Sequence, residues 1–143
     1  MLGKAIAITS EAFVGVKDKG GKDYILHCLR VMNGVIHLGE DYACVAVMHD
    51  LLEDTDYTAK DLYDLGFKSD IVNNVVAMTH KRGASYSEYI MEISKHTIAT
   101  ECKKSDLRDN SDITRLKGIS EKDTKRIEKY HKAYMFLTTG EGY

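Results

Sequence analysis

The stretch VMHDLLEDTDYT, from Val47 to Thr58, places one histidine and four acidic residues directly after an apolar run. Burying carboxylates is costly unless each of them has a cation or a hydrogen-bond donor as its partner. An imidazole together with carboxylates is also a common ligand set for first-row divalent metal ions. A metal site would explain this stretch, and that hypothesis has to be tested against the rest of the chain.

The spacing of these residues matters if the chain from Asp41 to Asp54 forms a single helix. A turn of about 3.6 residues would place His49 above Glu53 on one face. The same turn would place Asp50 above Asp54 on the adjoining face. Repulsion among these acids then has to be offset, either by a metal ion or by nearby arginine and lysine side chains. The pattern alone leaves both explanations open.

Two further residues could join the same site. His27 lies in the middle of an apolar-periodic segment, and Asp106 lies in the charged segment KKSDLRDN. Taken alone, a histidine in a helix is more often a core or surface residue than a ligand. An aspartate near a helix end is more often solvated or part of a cap. Their combination with the adjacent pair His49–Asp50 is what favours a shared metal centre.

The segments that must position these residues have the periodicity of amphipathic helices. YILHCLRVMNGVIHLG has an apolar stripe at Ile25, Leu29, Met32 and Ile36, and Gly39 is the predicted stop of this helix. Further helices are predicted to begin at polar caps and to end near glycines or polar turns. One of them starts at Thr58, with Asp61 completing a capping box, and the next starts at Ser69. Three more are predicted at Ser87 to His96, at Thr97 to about Asn110, and at Ser120 to Gly140.

These elements predict an all-α, single-domain orthogonal helical bundle of about six to eight helices that covers residues 1–143. A length of 143 residues is sufficient for one core without disulfide bonds. The chain contains no proline, so its turns depend on glycine and on polar caps. The three cysteines have no metal-binding or disulfide spacing, and we interpret them as reduced apolar residues.

Composition and charge narrow the range of partners. The net charge is −2 with both signs interspersed, so we expect no nucleic-acid partner. The basic residues from Lys117 to Lys132 are interpreted as a solvated helix face. No segment reaches the ~20 apolar residues of a membrane span, and no signal peptide is evident, so we expect a cytoplasmic protein without a membrane partner. The sequence is compatible with a homo-oligomer as well as with a monomer.

His27, the pair His49–Asp50 and Asp106 form an H…HD…D pattern that resembles the HD-domain metal-dependent phosphohydrolases. The segments KGGKDYILHCLRVM, HDLLEDTDYT, LGF, SDLRDNSD and TRL are similar to the hydrolase domain of the Rel/Spo/Mesh group. That domain removes the 3′-pyrophosphate from (p)ppGpp. The resemblance covers Ala5 to Leu137, and its most specific part is HDxxEDT with the flanking histidine and DxxxN. The expected form is a small stand-alone hydrolase with the HD-domain fold.

The resemblance implies one bound divalent ion, which is Mn²⁺-like. Other first-row divalent metals are also possible at this site. Two imidazoles and two carboxylates suit such an ion and leave positions for water and substrate. A closed structural zinc site would instead have four ligands in which cysteine or histidine predominates. The implied metal ligands are His27, His49, Asp50 and Asp106.

The resemblance also implies roles for residues around the metal. Glu53 and Asp54 match the ED pair that supplies acid–base chemistry, and a carboxylate beside an activated water can orient or deprotonate it. Lys19 matches a family position near the base or the phosphates of the nucleotide. Asn110 would contact the sugar or a phosphate. The expected partner is therefore a small-molecule nucleotide substrate.

Asp18 is a departure from the family pattern, which often has an arginine associated with guanine at this position. A carboxylate cannot stack as a guanidinium does, but it can accept hydrogen bonds from guanine N1–H and N2–H₂. Either the site recognises guanine through this different geometry, or it discriminates poorly between bases. Asp23 and Cys28 also stand where proline is usual, which changes the stiffness of the loop more than the chemistry.

The sequence is also compatible with two other functions. One is an HD phosphohydrolase of another nucleotide, for instance of the 2′-phosphate of NADPH. The other is a catalytically silent HD module that binds a nucleotide or a protein partner. Degenerate HD domains usually lose a ligand or the ED pair, and this chain has all six residues, which favours an enzyme.

Overall fold

The apolar run that precedes the His–Asp pair forms the central helix of an all-helical bundle. The computed structural model describes residues 1–143. It contains nine α-helices, two 3-10 helices at Ile36–Leu38 and Ile113–Arg115, and no β-strand. The α-helices are α1 Leu2–Ala12, α2 Tyr24–Asn33, α3 Glu40–Val47, α4 Leu51–Asp54, α5 Ala59–Asp64, α6 Ser69–Ala77, α7 Tyr86–Ile93, α8 Thr97–Asn110 and α9 Glu121–Thr139.

Helix α3 is enclosed by other helices. Every residue from Ala43 to Met48 is fully buried, and α3 packs against α1, α2, α6 and α8. A helix that is apolar on all sides is stable only inside a core. The residues that follow α3 therefore emerge from the centre of the bundle, where α2 and α8 also pass.

The cap residues predicted several helix starts correctly. Capping boxes of Thr58 with Asp61 and of Ser120 with Asp123 begin α5 and α9 as predicted. A third capping box, with Ser85 as the N-cap, begins α7 at Tyr86, one residue before the predicted start at Ser87, and α7 ends at Ile93 rather than at His96. The predicted all-α, single-domain bundle is confirmed, with α4 as a short helix separate from α3. No helix has both the length and the apolar composition that crossing a bilayer requires.

The prediction of one helix from Asp41 to Asp54 is wrong. Helix α3 ends at Val47 and α4 begins only at Leu51. The His49 N–H donates to the Ala46 carbonyl at 3.3 Å, which replaces the α-helical bond by a tighter turn. The break turns the His–Asp pair away from the face that a continuous helix would give it.

The predicted apolar stripe of α2 is only partly correct, since Met32 is buried and Ile25 and Leu29 pack at the edge of the core, whereas Ile36 lies beyond α2 and is exposed. The buried residues of α2 are His27, Cys28, Val31 and Met32, and the helix ends at Asn33 rather than at Gly39. The next residue explains the packing, because a Cβ atom on Gly34 would lie 2.2 Å from the Ser105 hydroxyl on α8. Helices α2 and α8 thus approach closely, and this contact brings the buried face of α2 towards Asp106.

Candidate metal centre and its cavity

Three separate segments bring the predicted ligands together. Helix α2 carries His27, the turn between α3 and α4 carries His49 and Asp50, and α8 carries Asp106. One ligand atom from each of His27, His49 and Asp50 lies within 4.8 Å of the others. Asp106 Oδ1 lies 3.1 Å from His27 Nε2 and 3.3 Å from His49 Nε2. The four residues therefore form one buried cluster.

The hydrogen bonds of the two histidines fix which nitrogen faces the cluster. His49 Nδ1 donates to the Ala46 carbonyl at 2.7 Å, and a carbonyl can only accept. His27 Nδ1 lies 2.6 Å from the Asp109 carboxylate, which also accepts. Both Nε2 atoms are buried and have no hydrogen-bond partner of acceptable geometry. Two imidazoles with free Nε2 lone pairs beside carboxylates are what a divalent cation requires, so the cluster fits such an ion.

The charges of the cluster are tightly linked. Burial alone would lower the pKa of His49, but the Asp50 and Asp106 carboxylates raise it well above its ordinary value. Burial would raise the pKa of Asp106, yet the cations of Lys103 and His49 hold it well below its usual range. The carboxylates therefore attract positive charge to the point between them, which a proton or a metal ion can supply.

Asp109 is a site residue that sequence reasoning missed. Its carboxylate orients His27, and it accepts from Arg30 Nε at 2.8 Å and lies 2.9 Å from Arg115 Nη1. Burial opposes its charge, but the hydrogen bonds to His27 and Arg30 lower the pKa of Asp109 to about 2. The spacing of three residues from Asp106, which puts both on one helix face, is the signal that could have indicated it.

Two further residues of α8 hold the Asp106 carboxylate. The buried Lys103 Nζ donates to Oδ2 at 2.7 Å, and the Asn110 amide donates to Oδ1 at 3.0 Å. Lys103 was not singled out from the sequence, although it lies one turn before Asp106. The structure thus places Asn110, the predicted substrate contact, directly beside a predicted metal ligand.

The ED pair lies at a cavity of about 330 Å³ beside the cluster. Glu53 Oε1 accepts the backbone N–H of His80 at 2.7 Å, which ties α4 to the loop after α6. Desolvation in the cavity, together with the carboxylates of Asp50 and Glu53, raises the pKa of Asp54 to about 6. Asp54 can therefore exchange a proton near neutral pH, as a general acid or base must.

A second cavity of about 380 Å³ adjoins the first, and the two share Tyr24, Asn110 and Tyr130 in their walls. Lys19 lines this second cavity and makes no ion pair. Its pKa is lowered by burial and by the nearby cations of α9. Each cavity lies in the range of about 300–1,000 Å³ that is typical of small-molecule sites.

Asp18 also lines the second cavity, but its carboxylate is engaged within the chain. Oδ2 accepts from Arg115 Nη2 at 3.0 Å, and Oδ1 accepts from the Lys22 N–H at 2.9 Å. Only 8% of its side chain is exposed. The structure therefore places Asp18 as an anchor for Arg115, which in turn contacts Asp109.

The buried cluster of two histidines and two aspartates in an all-helical bundle has the arrangement that the HD-domain resemblance predicts. The fold is shared with the solved structure of a metazoan ortholog of SpoT, which hydrolyses ppGpp and plays a role in starvation responses. That structure matches 99% of this chain and 86% of its own chain, with a TM-score of 0.80 at 19% sequence identity. No protein-family model matches the chain, and no curated protein sequence does. The predicted fold is thereby confirmed.

Proposed function

We propose that the chain is a metal-dependent hydrolase that removes the 3′-pyrophosphate from (p)ppGpp-like nucleotides. The observation that carries this proposal is the pair of buried, unpartnered Nε2 atoms of His27 and His49, which face two carboxylates at the wall of a cavity. The shared fold with a ppGpp hydrolase supports the same reading. The motif HDLLEDT, with both acids of the ED pair at the cavity, supports an enzyme rather than a silent module.

His27, His49, Asp50 and Asp106 would hold one divalent ion, which we propose to be Mn²⁺. When bound, such an ion polarises a phosphoryl oxygen and lowers the pKa of a bound water. Asp109 and the Ala46 carbonyl keep both imidazoles in the tautomer that a metal needs. Tyr24 donates its hydroxyl to Asp50 and so fixes the orientation of that carboxylate.

Glu53 and Asp54 would handle the protons of the reaction. Glu53 is held by the His80 N–H, so it can orient a water molecule in the cavity. Asp54, with its pKa raised to about 6, can give a proton to the departing ribose oxygen. The nucleotide would occupy the second cavity, where Lys19 supplies the free cation and Asn110 lies at the junction with the metal centre.

A substrate panel tests this function. Mn²⁺-loaded protein is incubated with ppGpp, pppGpp, NADPH and ordinary nucleoside triphosphates, and the products are identified by mass spectrometry. The proposal expects GDP or GTP together with pyrophosphate from the first two. Release of phosphate from NADPH alone would favour the alternative HD phosphohydrolase. No product from any compound, with metal bound, would favour the silent binding module.

A further inference from the structure

One cation at the metal-site cavity has no role in the cluster. Lys129 on α9 lines this cavity together with Asp50 and Asp106. Lys125 and Arg126 on the same helix pair with acids about one turn away, whereas Lys129 pairs with none. Lys129 is exposed, as the interpretation of Lys117–Lys132 as a solvated face predicts, but it is also an unpaired charge at the wall of the site.

Two tyrosine rings hold Lys129 in place. Its Nζ atom lies 4.5 Å from the ring centroid of Tyr86 and 5.5 Å from that of Tyr130. The face of an aromatic ring attracts a cation but does not accept the hydrogen bonds that a carboxylate would. The ammonium group is thus positioned while its N–H donors stay available to a ligand.

The same cavity wall contains a hydroxyl without a partner. The Tyr86 hydroxyl is shielded from solvent and makes no hydrogen bond within the chain, although Tyr86 lines the cavity. Buried tyrosine hydroxyls normally find a partner, because an unsatisfied one costs its desolvation free energy. An acceptor oxygen of a ligand would relieve this cost.

The charge of the cavity indicates the class of ligand. Glu53 and Asp54 would repel an anion, so a phosphate that enters needs a protein cation in addition to a metal ion. Lys103 is already paired with Asp106. Lys129 is then the available cation at this cavity.

We propose that Lys129 and the Tyr86 hydroxyl form a subsite for the terminal phosphate of the 3′-pyrophosphate group. This inference rests on the proposed function and specifies how the phosphoryl chain is held. In the reaction, the water oxygen bonds to the phosphorus that carries the ribose 3′-oxygen, and the bond from that phosphorus to the 3′-oxygen breaks. One proton of the water passes to the 3′-oxygen, and pyrophosphate leaves from the subsite.

Binding of inorganic pyrophosphate tests the subsite without turnover. Calorimetry on metal-loaded protein, cleared of free metal, should give about tenfold weaker binding or more for Lys129→Met, because a charge-assisted hydrogen bond is lost. Tyr86→Phe keeps the ring under Lys129 and should weaken binding severalfold, with a melting temperature that is unchanged or higher. Lys132→Met is the matched control, since Lys132 also stands over a tyrosine, Tyr143, but outside the cavity. This control should bind like the wild type.

Wild-type pyrophosphate affinity in either Lys129→Met or Tyr86→Phe would overturn the subsite. A kinetic comparison adds a second test. Lys129→Met should raise KM for ppGpp more than for a nucleotide with a 3′-monophosphate, which lacks the terminal phosphate, and an equal effect on both would overturn the proposal. Pyrophosphate binding that depends on both residues, without hydrolysis of ppGpp, would keep the subsite and reject only the proposed substrate.

Discussion

At the scale of residues, each histidine of the cluster uses one ring nitrogen to fix the other. The Nδ1 atoms of His27 and His49 are bound to acceptors within the chain, and the two Nε2 atoms therefore converge on the point between Asp50 and Asp106. Such outer contacts set the tautomer and the ring orientation of metal-binding histidines. A graded effect of mutation on metal binding follows from this geometry.

The first prediction concerns the proposed metal ligands and Asp109, which is hydrogen-bonded to one of them, His27. His49→Ala and Asp106→Ala should abolish binding of Mn²⁺, because each removes a ligand. Asp109→Asn should weaken it by about 10–100-fold, because His27 loses its anionic partner. Bound metal is measured by titration calorimetry and elemental analysis. His37→Ala serves as the control, since His37 is exposed and is not part of the cluster. Full metal occupancy in His49→Ala would contradict the ligand assignment.

The second prediction separates proton transfer from metal binding. Glu53→Gln and Asp54→Asn should bind metal like the wild type and lose hydrolysis by about 10²–10⁴-fold. Glutamine at position 53 can still accept the His80 N–H, so a loss of turnover there reports the missing charge rather than a displaced α4. Asp56→Asn is the control, because it removes a neighbouring acidic side chain that is not part of the ED pair. Near wild-type kcat in both variants of the ED pair would show that the pair is structural.

At the scale of elements, the site depends on the turn between two helices and on two helix faces, one of which is the buried face of α2 with His27. The turn between α3 and α4 presents His49 and Asp50, and one face of α8 presents Lys103 and Asp106. Helix α8 has no side-chain cap from its own N-cap residue. The buried Asn74 on α6 supplies one instead, because its Oδ1 accepts the Ala99 N–H at 3.0 Å.

The third prediction follows from this contact between helices. Asn74→Ala should lower the free energy of unfolding by about 1–2 kcal/mol, because the first turn of α8 loses its acceptor. Chemical denaturation measures the change. Asn73→Ala is the matched control, since the Asn73 side chain lies on the exposed face of α6 and should change stability by less than about 0.5 kcal/mol. Equal effects of the two substitutions would show that Asn74 does not cap α8.

Local patterns predicted most helices because caps and apolar spacing are encoded within a few residues, as at Thr58 and Ser120. The break after Val47 was not predictable in this way, since the helical period continues through it. Contacts from other elements, such as the Tyr24 hydroxyl on Asp50, accompany the break. The motif predicted the ligand set of the proposed metal site. The link between His27 and Asp109 joins residues 82 positions apart, which no local pattern encodes.

At the scale of the whole molecule, the cluster links segments that are distant in the chain. Helix α2, the turn after α3, and α8 each contribute to it, and these three helices also pack against one another in the core. A ligand that binds only the folded arrangement stabilises it by mass action. Metal binding at this cluster should therefore be visible as global stability, and it should depend on pH.

The fourth prediction concerns this pH dependence. Burial lowers the pKa of His27, but hydrogen bonds to Asp106 and Asp109 raise it above its ordinary value of 6.5, and the pKa of His49 is raised further. A folded pKa above the unfolded one gives stability that is complete below pH 6.5 and is lost as the pH rises through the folded value. The melting temperature of metal-free protein should therefore fall as the pH rises above about 6.5.

A metal ion must displace the protons from His27 and His49, so its stabilising effect should grow over the same pH range. The increase in melting temperature on adding Mn²⁺, measured by scanning calorimetry at several pH values, should be small near pH 6 and larger near pH 8. His49→Ala should show no such increase at any pH, while His37→Ala should behave like the wild type. An increase that is the same at every pH in the wild type would show that the metal does not bind through these two imidazoles.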